Sequence, residues 1–182
     1  MGYRHDRDEM LQAAMRLVLA DGVGALTFGR VAAEVGASDR MVVYYFPTKA
    51  DLIVAVVTAI GAQLQATLET AFGPDPLDAD ELMRRAWPVL ASDRAANMFA
   101  RFFEVIGLSL AGQAPYTVLA PALLDGWIDW LAHRVAAPTV ARRQAIAASI
   151  VARLDGLLLL QSVSGTRTAR AAARELGIAG HT

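Results

Sequence analysis

Residues 27–52, TFGRVAAEVGASDRMVVYYFPTKADL, contain the feature that most constrains the fold of this chain. Apolar residues recur at helical spacing on both sides of Gly36, and Pro47 interrupts the second run. The segment therefore predicts two short helices joined by a tight turn and followed by the start of a third. That layout is typical of a helix-turn-helix, which places its second helix in the major groove of DNA.

The turn between the two short helices depends on Gly36, because glycine accepts the left-handed conformation that stops a helix. Thr27 and Ser38 stand where each helix begins, and their hydroxyls can accept hydrogen bonds from free backbone N–H groups. We therefore expect helices over about 28–35 and 39–46.

The second of these helices has two different faces. Val42 and Phe46 are spaced to anchor it, whereas Arg40 and Tyr44 point elsewhere. Exposed aromatic and arginine side chains on so short a helix favour a binding role. The alternative is a helical hairpin inside an all-α core.

The rest of the chain also has helical periodicity, broken by proline and glycine. We predict an all-α fold of about nine helices, with a DNA-binding head at 1–50 and a ligand-binding and dimerisation body at 51–182. Pro88 is expected to kink or split its helix. The helices outside the motif are predicted at about 7–20, 49–71, 79–91, 93–111, 119–136, 139–164 and 168–176.

The head resembles the TetR family of transcription regulators over about residues 8–55. The family signature has a threonine opening helix two, an alanine within that helix, Gly-x-Ser, an apolar-aromatic run ending in phenylalanine, and then lysine and leucine. Here these positions hold Thr27, Ala32, Gly36-Ala37-Ser38, Val42-Val43-Tyr44-Tyr45-Phe46, Lys49 and Leu52.

The resemblance implies specific roles at the DNA. Thr27 and Lys49 are expected to contact phosphates near helix N-termini. Arg40 is the candidate for reading a base edge, since arginine bound through both nitrogens to guanine is the commonest specific contact. Two residues depart from the family pattern and weaken the expected phosphate contacts, namely Val43 and Gly29. The other residues expected on or beside the same face are Ser38, Asp39, Met41, Tyr44 and Tyr45.

The body is expected to pair two copies of the chain, because one short helix reads too few base pairs. The family typically forms this contact with its last two helices, as a four-helix bundle. The alternative for the same residues is the core of a monomer. The predicted interface consists of Ile146, Ile150, Arg153, Leu154, Leu157, Leu158 and Gln161.

The middle helices are rich in aromatic residues, which favours a pocket for a small apolar or aromatic effector. Glu104, Arg153, Asp155 and Gln161 are polar residues within apolar stretches that could orient such a ligand. The alternatives are plain core for the aromatic residues and, for Arg101 with Glu104, an exposed ion pair. The predicted ligand-binding residues are Trp87, Met98, Phe99, Phe102, Phe103, Glu104, Trp127, Trp130 and Gln161.

The composition excludes several kinds of site. The chain has no cysteine, and its three histidines are scattered, so no metal cluster is expected. No nucleophile–base pair and no glycine-rich phosphate loop appears, so we predict neither an enzyme nor a cofactor. No apolar run reaches the ~20 residues of a membrane span, and the charged N-terminus lacks a signal peptide, which predicts a cytoplasmic protein. The 55% hydrophobic content favours burial against a second copy.

The charge balance is not the one expected of a protein that binds nucleic acid. Residues 1–52 carry six arginines and lysines against seven aspartates and glutamates, and the whole chain has a net charge of −1. DNA-binding domains are usually basic. Arg4, His5 and Arg7 could supply positive charge before helix one, or form an ordinary solvated tail.

These patterns predict a ligand-responsive transcription regulator that binds a palindromic operator as a homodimer. We predict that it acts as a repressor. The alternative is a helical module that uses the head to bind another protein and not DNA.

Overall fold

The computed structural model describes residues 6–179, and within that range the protein consists of nine α-helices and no strand. The predicted all-α class and helix number are confirmed. The helices are α1 Arg7–Asp21, α2 Phe28–Val35, α3 Asp39–Tyr45, α4 Lys49–Phe72, α5 Ala79–Leu90, α6 Asp93–Leu110, α7 Tyr116–Ala132, α8 Val140–Ser164 and α9 Thr166–Glu175.

Side-chain caps start the helices of the head. The Thr27 hydroxyl accepts a hydrogen bond from the Arg30 N–H at 3.2 Å, as predicted for α2. Thr48 and Asp51 form a reciprocal capping box at the start of α4. Gly36 ends α2 with φ 71° and ψ 29°, the left-handed conformation that the sequence predicts. These local signals explain why the helix-turn-helix boundaries could be predicted closely.

Some details differ from the predictions. Pro88 does not split α5, which continues to Leu90. Proline lies near the end of that helix, where few hydrogen bonds remain to be lost. Helix α7 begins at Tyr116, inside a segment predicted as a connection, and Ser38 occupies the N-cap position of α3 without a side-chain capping bond.

Two hydrophobic cores divide the molecule, and they meet along α4. Leu52, Ile53, Val56 and Ile60 pack with α1–α3 and with residues from α6 and α7. The next turns of α4 pack against α5–α9 instead. One continuous helix therefore contributes buried residues to both cores.

Within residues 6–179, two helices are long and apolar enough to cross a membrane by length and composition, α4 and α8. Both supply buried residues to the cores just described, as the central helices of a globular protein do. Their composition is therefore weak evidence for a membrane.

Candidate functional site

The outer face of α3 is exposed. Asp39, Arg40, Met41, Val43 and Tyr44 are all exposed, and Tyr44 keeps 79% of its accessible surface. A helix of seven residues thus presents a continuous surface of polar, basic and aromatic groups to solvent. This is the face that the sequence assigns to DNA.

The inner face holds α3 in place. Val42 and Phe46 are almost completely buried in the head core, where they anchor the middle and the C-terminal end of the helix. The Arg7 guanidinium lies 5.0 Å from the centre of the Phe46 ring, within range of a cation–π contact. The outer face is therefore fixed in direction by the buried one.

The ion pairs of the head show which basic groups are available to a ligand. Arg16 pairs with Glu34 at 3.3 Å, and Arg30 pairs with Asp21. Arg40 and Lys49 have no ion-pair or hydrogen-bond partner for their side chains within residues 6–179. Although the head is not basic overall, the positive charges without an ion-pair partner within residues 6–50 lie at the starts of three helices: Arg7 of α1, Arg40 of α3 and Lys49 of α4. Arg4 and His5 lie outside the described residues.

The other residues predicted to contact DNA differ in exposure and in the contacts they already make. Thr27 is exposed, but its hydroxyl already caps α2. Ser38 is exposed and makes no capping bond, so its hydroxyl remains available. Tyr45 is half-buried, with its ring centre 5.0 Å from that of Tyr44 in an edge-to-face contact. Tyr45 therefore packs against the exposed ring of Tyr44.

The body contains a cavity of about 110 Å³ between α4, α6, α7 and α8. Its walls are apolar apart from Arg101 and Asp155, the two charged side chains that line it in the described chain. Of the predicted ligand residues, those that line it are Met98, Phe99, Phe102, Trp127 and Trp130.

The other predicted ligand residues do not line the cavity. Trp87 is buried in the body core and Phe103 packs against that core. Gln161 donates to the Ala91 carbonyl at 3.1 Å, which ties α8 to the end of α5. Glu104 faces the head. The helical spacing placed these residues correctly on their helices but could not tell which side faces the open space.

Glu104 forms a junction between α6 and the turn that follows α1. Its Oε1 accepts hydrogen bonds from the backbone N–H groups of Val23 at 3.1 Å and Gly24 at 3.4 Å. Its Oε2 accepts from Arg101 Nη1 at 2.9 Å. Burial raises the pKa of the neighbouring Tyr116, and the negative charge of Glu104 adds to that effect. One carboxylate thus connects a cavity-lining arginine to the head.

The predicted dimer residues lie mainly inside the protomer. Ile150, Leu154, Leu157 and Leu158 are buried in the body core, and all but Leu157 also line the cavity. The dimer interface at these residues stays a prediction, and within the protomer α8 uses them to pack on its own chain. Of the others, Ile146 packs against the same core. Arg153 reaches the Ser149 carbonyl and lies 4.0 Å from Asp80.

A different face of α8 is exposed. Its residues follow one another at spacings of four and three, which places them in a single stripe along the helix. The stripe contains small or apolar residues without charge: Ala145, Ser149, Ala152, Gly156, Leu159 and Val163. Val163 retains 77% of its accessible surface. In the sequence, apolar residues occur on two sides of α8, and the sequence analysis considered only the side that is buried in the protomer.

Comparison with known proteins agrees with this geometry. Residues 10–56 match the family profile described as bacterial regulatory proteins, tetR family. The whole fold is similar to that of a putative TetR-family transcriptional regulator from Rhodococcus sp., with a TM-score of 0.75 and 19% identity over 94% of each chain. The head of the chain therefore matches the tetR family, and the whole chain has a TetR-like fold. The matched segment ends in α4, so it includes the helix-turn-helix and the first residues that α4 contributes to the head core.

Two further solved structures are similar to this chain along its length. A TetR transcriptional regulator from Legionella pneumophila has a TM-score of 0.67 and 21% identity over 97% of each chain. The multidrug binding protein EbrR, solved in complex with proflavin, has a TM-score of 0.65 and 26% identity over 94% of this chain and 97% of its own. The sequence has no significant match among curated proteins.

Two functionally placed residues of this chain, Arg101 and Gly22, were not assigned a functional role from sequence. Arg101 lines the cavity and pairs with Glu104, although their spacing suggested only a surface ion pair. Gly22 lies at the head junction with φ 93°. Asp155 was one of several polar residues predicted to orient a ligand. Unlike Arg153 and Gln161, it lines the cavity.

Proposed function

We propose that this chain is a ligand-responsive repressor of the TetR family that binds a palindromic operator as a cytoplasmic homodimer. In this proposal residues 1–50 bind DNA, and residues 51–182 bind the effector and the second copy. The observation that carries it is the connection from the cavity through Arg101 and Glu104 to the backbone of the head. A ligand that moves Arg101 would act on the segment that joins α1 to α2.

The mode of DNA binding follows from the exposed face of α3. Arg40 has no internal partner and lies near the N-terminus of the helix, where it could reach a guanine edge. Lys49, at the first position of α4, is free for a phosphate. In a symmetric dimer the two copies of α3 would occupy successive major grooves about 34–36 Å apart.

Replacing Arg40 by alanine is expected to remove one base contact and to relax sequence preference at that position by roughly 1–3 kcal/mol. The measurement is selection from a random duplex library, followed by fluorescence anisotropy on the selected site. Arg142→Ala, an exposed change of equal charge on α8, serves as the control. Unchanged affinity and preference in Arg40→Ala would remove Arg40 from its role.

The same assay separates this function from the alternative of a protein-binding head. Non-specific DNA binding depends on phosphate contacts and is strongest at low salt. A wild-type chain that binds no DNA at low salt would favour the protein-binding alternative.

The homodimer is supported by the uncharged stripe on α8 defined above. Small residues let two helices approach closely, and Leu159 and Val163 supply apolar area at one end. A charge buried at such a contact without a partner is strongly unfavourable.

We therefore expect Val163→Arg to weaken dimerisation by at least about tenfold, which corresponds to about 1.4 kcal/mol. Sedimentation equilibrium gives the dimer dissociation constant. Leu110→Arg, at an exposed apolar position at the end of α6, is the matched control. A Val163→Arg protein that remains as dimeric as the control would place the interface elsewhere.

The effector is proposed to be a small aromatic molecule held in the cavity. The aromatic walls support this, and the similar protein EbrR has been solved in complex with proflavin and with imidazole. A ligand shifts DNA occupancy only by its different affinity for the two conformations of the protein. We propose that the ligand-bound conformation is the one with low operator affinity.

A further inference from the structure

Asp155 is a carboxylate without an internal partner at the wall of the cavity. It lies on α8 among apolar lining residues such as Val151 and Leu158. Its side chain makes no hydrogen bond or ion pair within residues 6–179. Burial raises the pKa of the Asp155 carboxyl from 3.8 to about 6, because the surrounding protein removes water from the charged form.

The charged side chains on the helices around Asp155 either pair with other groups or do not line the cavity. On α6, Arg101 also lines the cavity, but its guanidinium pairs with Glu104 at 2.9 Å. On α5, Asp80 lies 4.0 Å from Arg153, the basic neighbour of Asp155 on α8. On α7, Asp129 accepts a hydrogen bond from Gln144 at 2.8 Å. The charged residues of α9 are not part of the cavity wall, namely Arg167, Arg170, Arg174 and Glu175.

Asp155 is consequently the charged residue of the cavity wall whose charge no neighbouring group neutralises. A carboxylate removed from water without a counter-ion is unfavourable for the folded protein. Such groups in a concave site mark a place where a ligand supplies the missing interaction. An anionic ligand would meet this charge directly, and a neutral ligand would leave it unpaired.

The remaining walls suit an aromatic ring that carries positive charge. Phe99 and Phe102 lie with ring centres 6.3 Å apart, and Trp127 and Trp130 with ring centres 5.4 Å apart. Cations are attracted to the faces of such rings, most strongly to tryptophan. The cavity volume of about 110 Å³ is comparable with cavities of about 150 Å³ that hold a single benzene ring.

We propose that the effector is a small aromatic cation of single-ring size, whose ammonium or amidinium group pairs with the Asp155 carboxylate. This inference rests on the proposed function, in which the cavity is the effector site. The Arg101 Nε–H, which is buried without a partner, provides a hydrogen-bond donor for an acceptor atom on such a ligand. The ligand would then touch the same arginine that connects the cavity to Glu104.

The test compares three compounds with the same ring and different charge: benzylammonium, benzyl alcohol and benzoate. Binding to the full chain is measured by isothermal titration calorimetry. Wild-type protein is expected to bind benzylammonium at least about tenfold more tightly than benzyl alcohol, and benzoate most weakly. Asp155→Asn keeps the shape and should abolish the preference. Asp125→Asn, an exposed aspartate on α7 outside the cavity, should retain it.

The outcomes separate this inference from the function on which it rests. Equal binding of benzylammonium and benzyl alcohol overturns the charge assignment and leaves the cavity as the effector site. A preference that survives in Asp155→Asn also overturns it. Failure of all three compounds to bind overturns both the ligand class and the single-ring effector site, while the DNA-binding proposal is judged separately with Arg40→Ala.

A stability measurement checks the unpaired carboxylate without any ligand. The folded state binds a proton on Asp155 more tightly than the unfolded state, so the contribution of this group to stability falls as pH rises from about 4 through about 6. Asp155→Asn should therefore raise the Tm at about pH 8 and change it little at about pH 4. The opposite result, a lower Tm at the higher pH with Asp125→Asn unchanged, would mean that Asp155 has an internal counter-ion and would overturn the inference.

Discussion

Replacing Gly22 by alanine is expected to disrupt the junction between the head and α6. Gly22 has φ 93° and ψ 167°, a backbone conformation that is essentially restricted to glycine and costs other residues about 1–3 kcal/mol. A Cβ there would lie 2.5 Å from Arg101 Nη1 and 2.9 Å from Glu104 Oε2, closer than real Cβ contacts. The ends of these two side chains must therefore shift, and urea denaturation is expected to show a loss of stability within that range.

Gly24→Ala is the matched control for this change. Gly24 donates to the same carboxylate, but its Cβ would meet no atom within 4 Å. The control should keep most of the stability that Gly22→Ala loses. Equal stability of the two variants would show that the junction tolerates a side chain and is not held by close contact with Arg101 and Glu104.

Glu104→Gln tests whether this junction carries the response to ligand. Glutamine retains an oxygen that can accept from the Val23 and Gly24 N–H groups but removes the charge that pairs with Arg101. DNA binding without ligand should persist, whereas its weakening by effector should be reduced. If the effector weakened DNA binding by Glu104→Gln as much as by the wild type, α4 alone would couple the cavity to the head.

The second large effect is expected for Phe46→Ala. Phe46 is 1% exposed, packs in the head core, and has the Arg7 guanidinium over its ring. Truncating a buried phenylalanine costs about 3–5 kcal/mol, because apolar burial is lost and a cavity remains. The head should lose its stable structure and with it DNA binding, as followed by denaturant unfolding and anisotropy.

Tyr44→Ala separates binding from stability on the same helix. Tyr44 is exposed and contacts Tyr45 edge to face, so its removal should cost less than about 1 kcal/mol of stability. Its effect should instead appear in DNA affinity. If Phe46→Ala bound DNA as tightly as wild type, the outer face of α3 would not require its buried anchor.

The head could be predicted in detail because its structure is specified by neighbouring residues. Thr27, Gly36 and the Thr48–Asp51 pair each act within one helical turn, through caps and a left-handed glycine. The inward anchors Val42 and Phe46 follow from helical spacing in a short segment with one apolar side.

The body was predicted less well because α8 is apolar on more than one side. Periodicity identified the helix, but Ile150 and Leu154 point into the protomer while Leu159 and Val163 remain exposed. A sequence with apolar residues around the helix does not indicate which face packs on its own chain. Only the positions of α5, α6, α7 and α9 around α8 decide that.

The sequence by itself determined the helix boundaries of the head, the head motif and the outward direction of Arg40 and Tyr44, because each depends on residues a few positions apart. The tertiary structure alone decided that Glu104 contacts Val23 about 80 residues earlier in the chain and that Asp155 faces a cavity without a counter-ion. Such arrangements depend on how whole helices pack against one another. Their packing is set by contacts between residues distant in the chain, which no local spacing encodes.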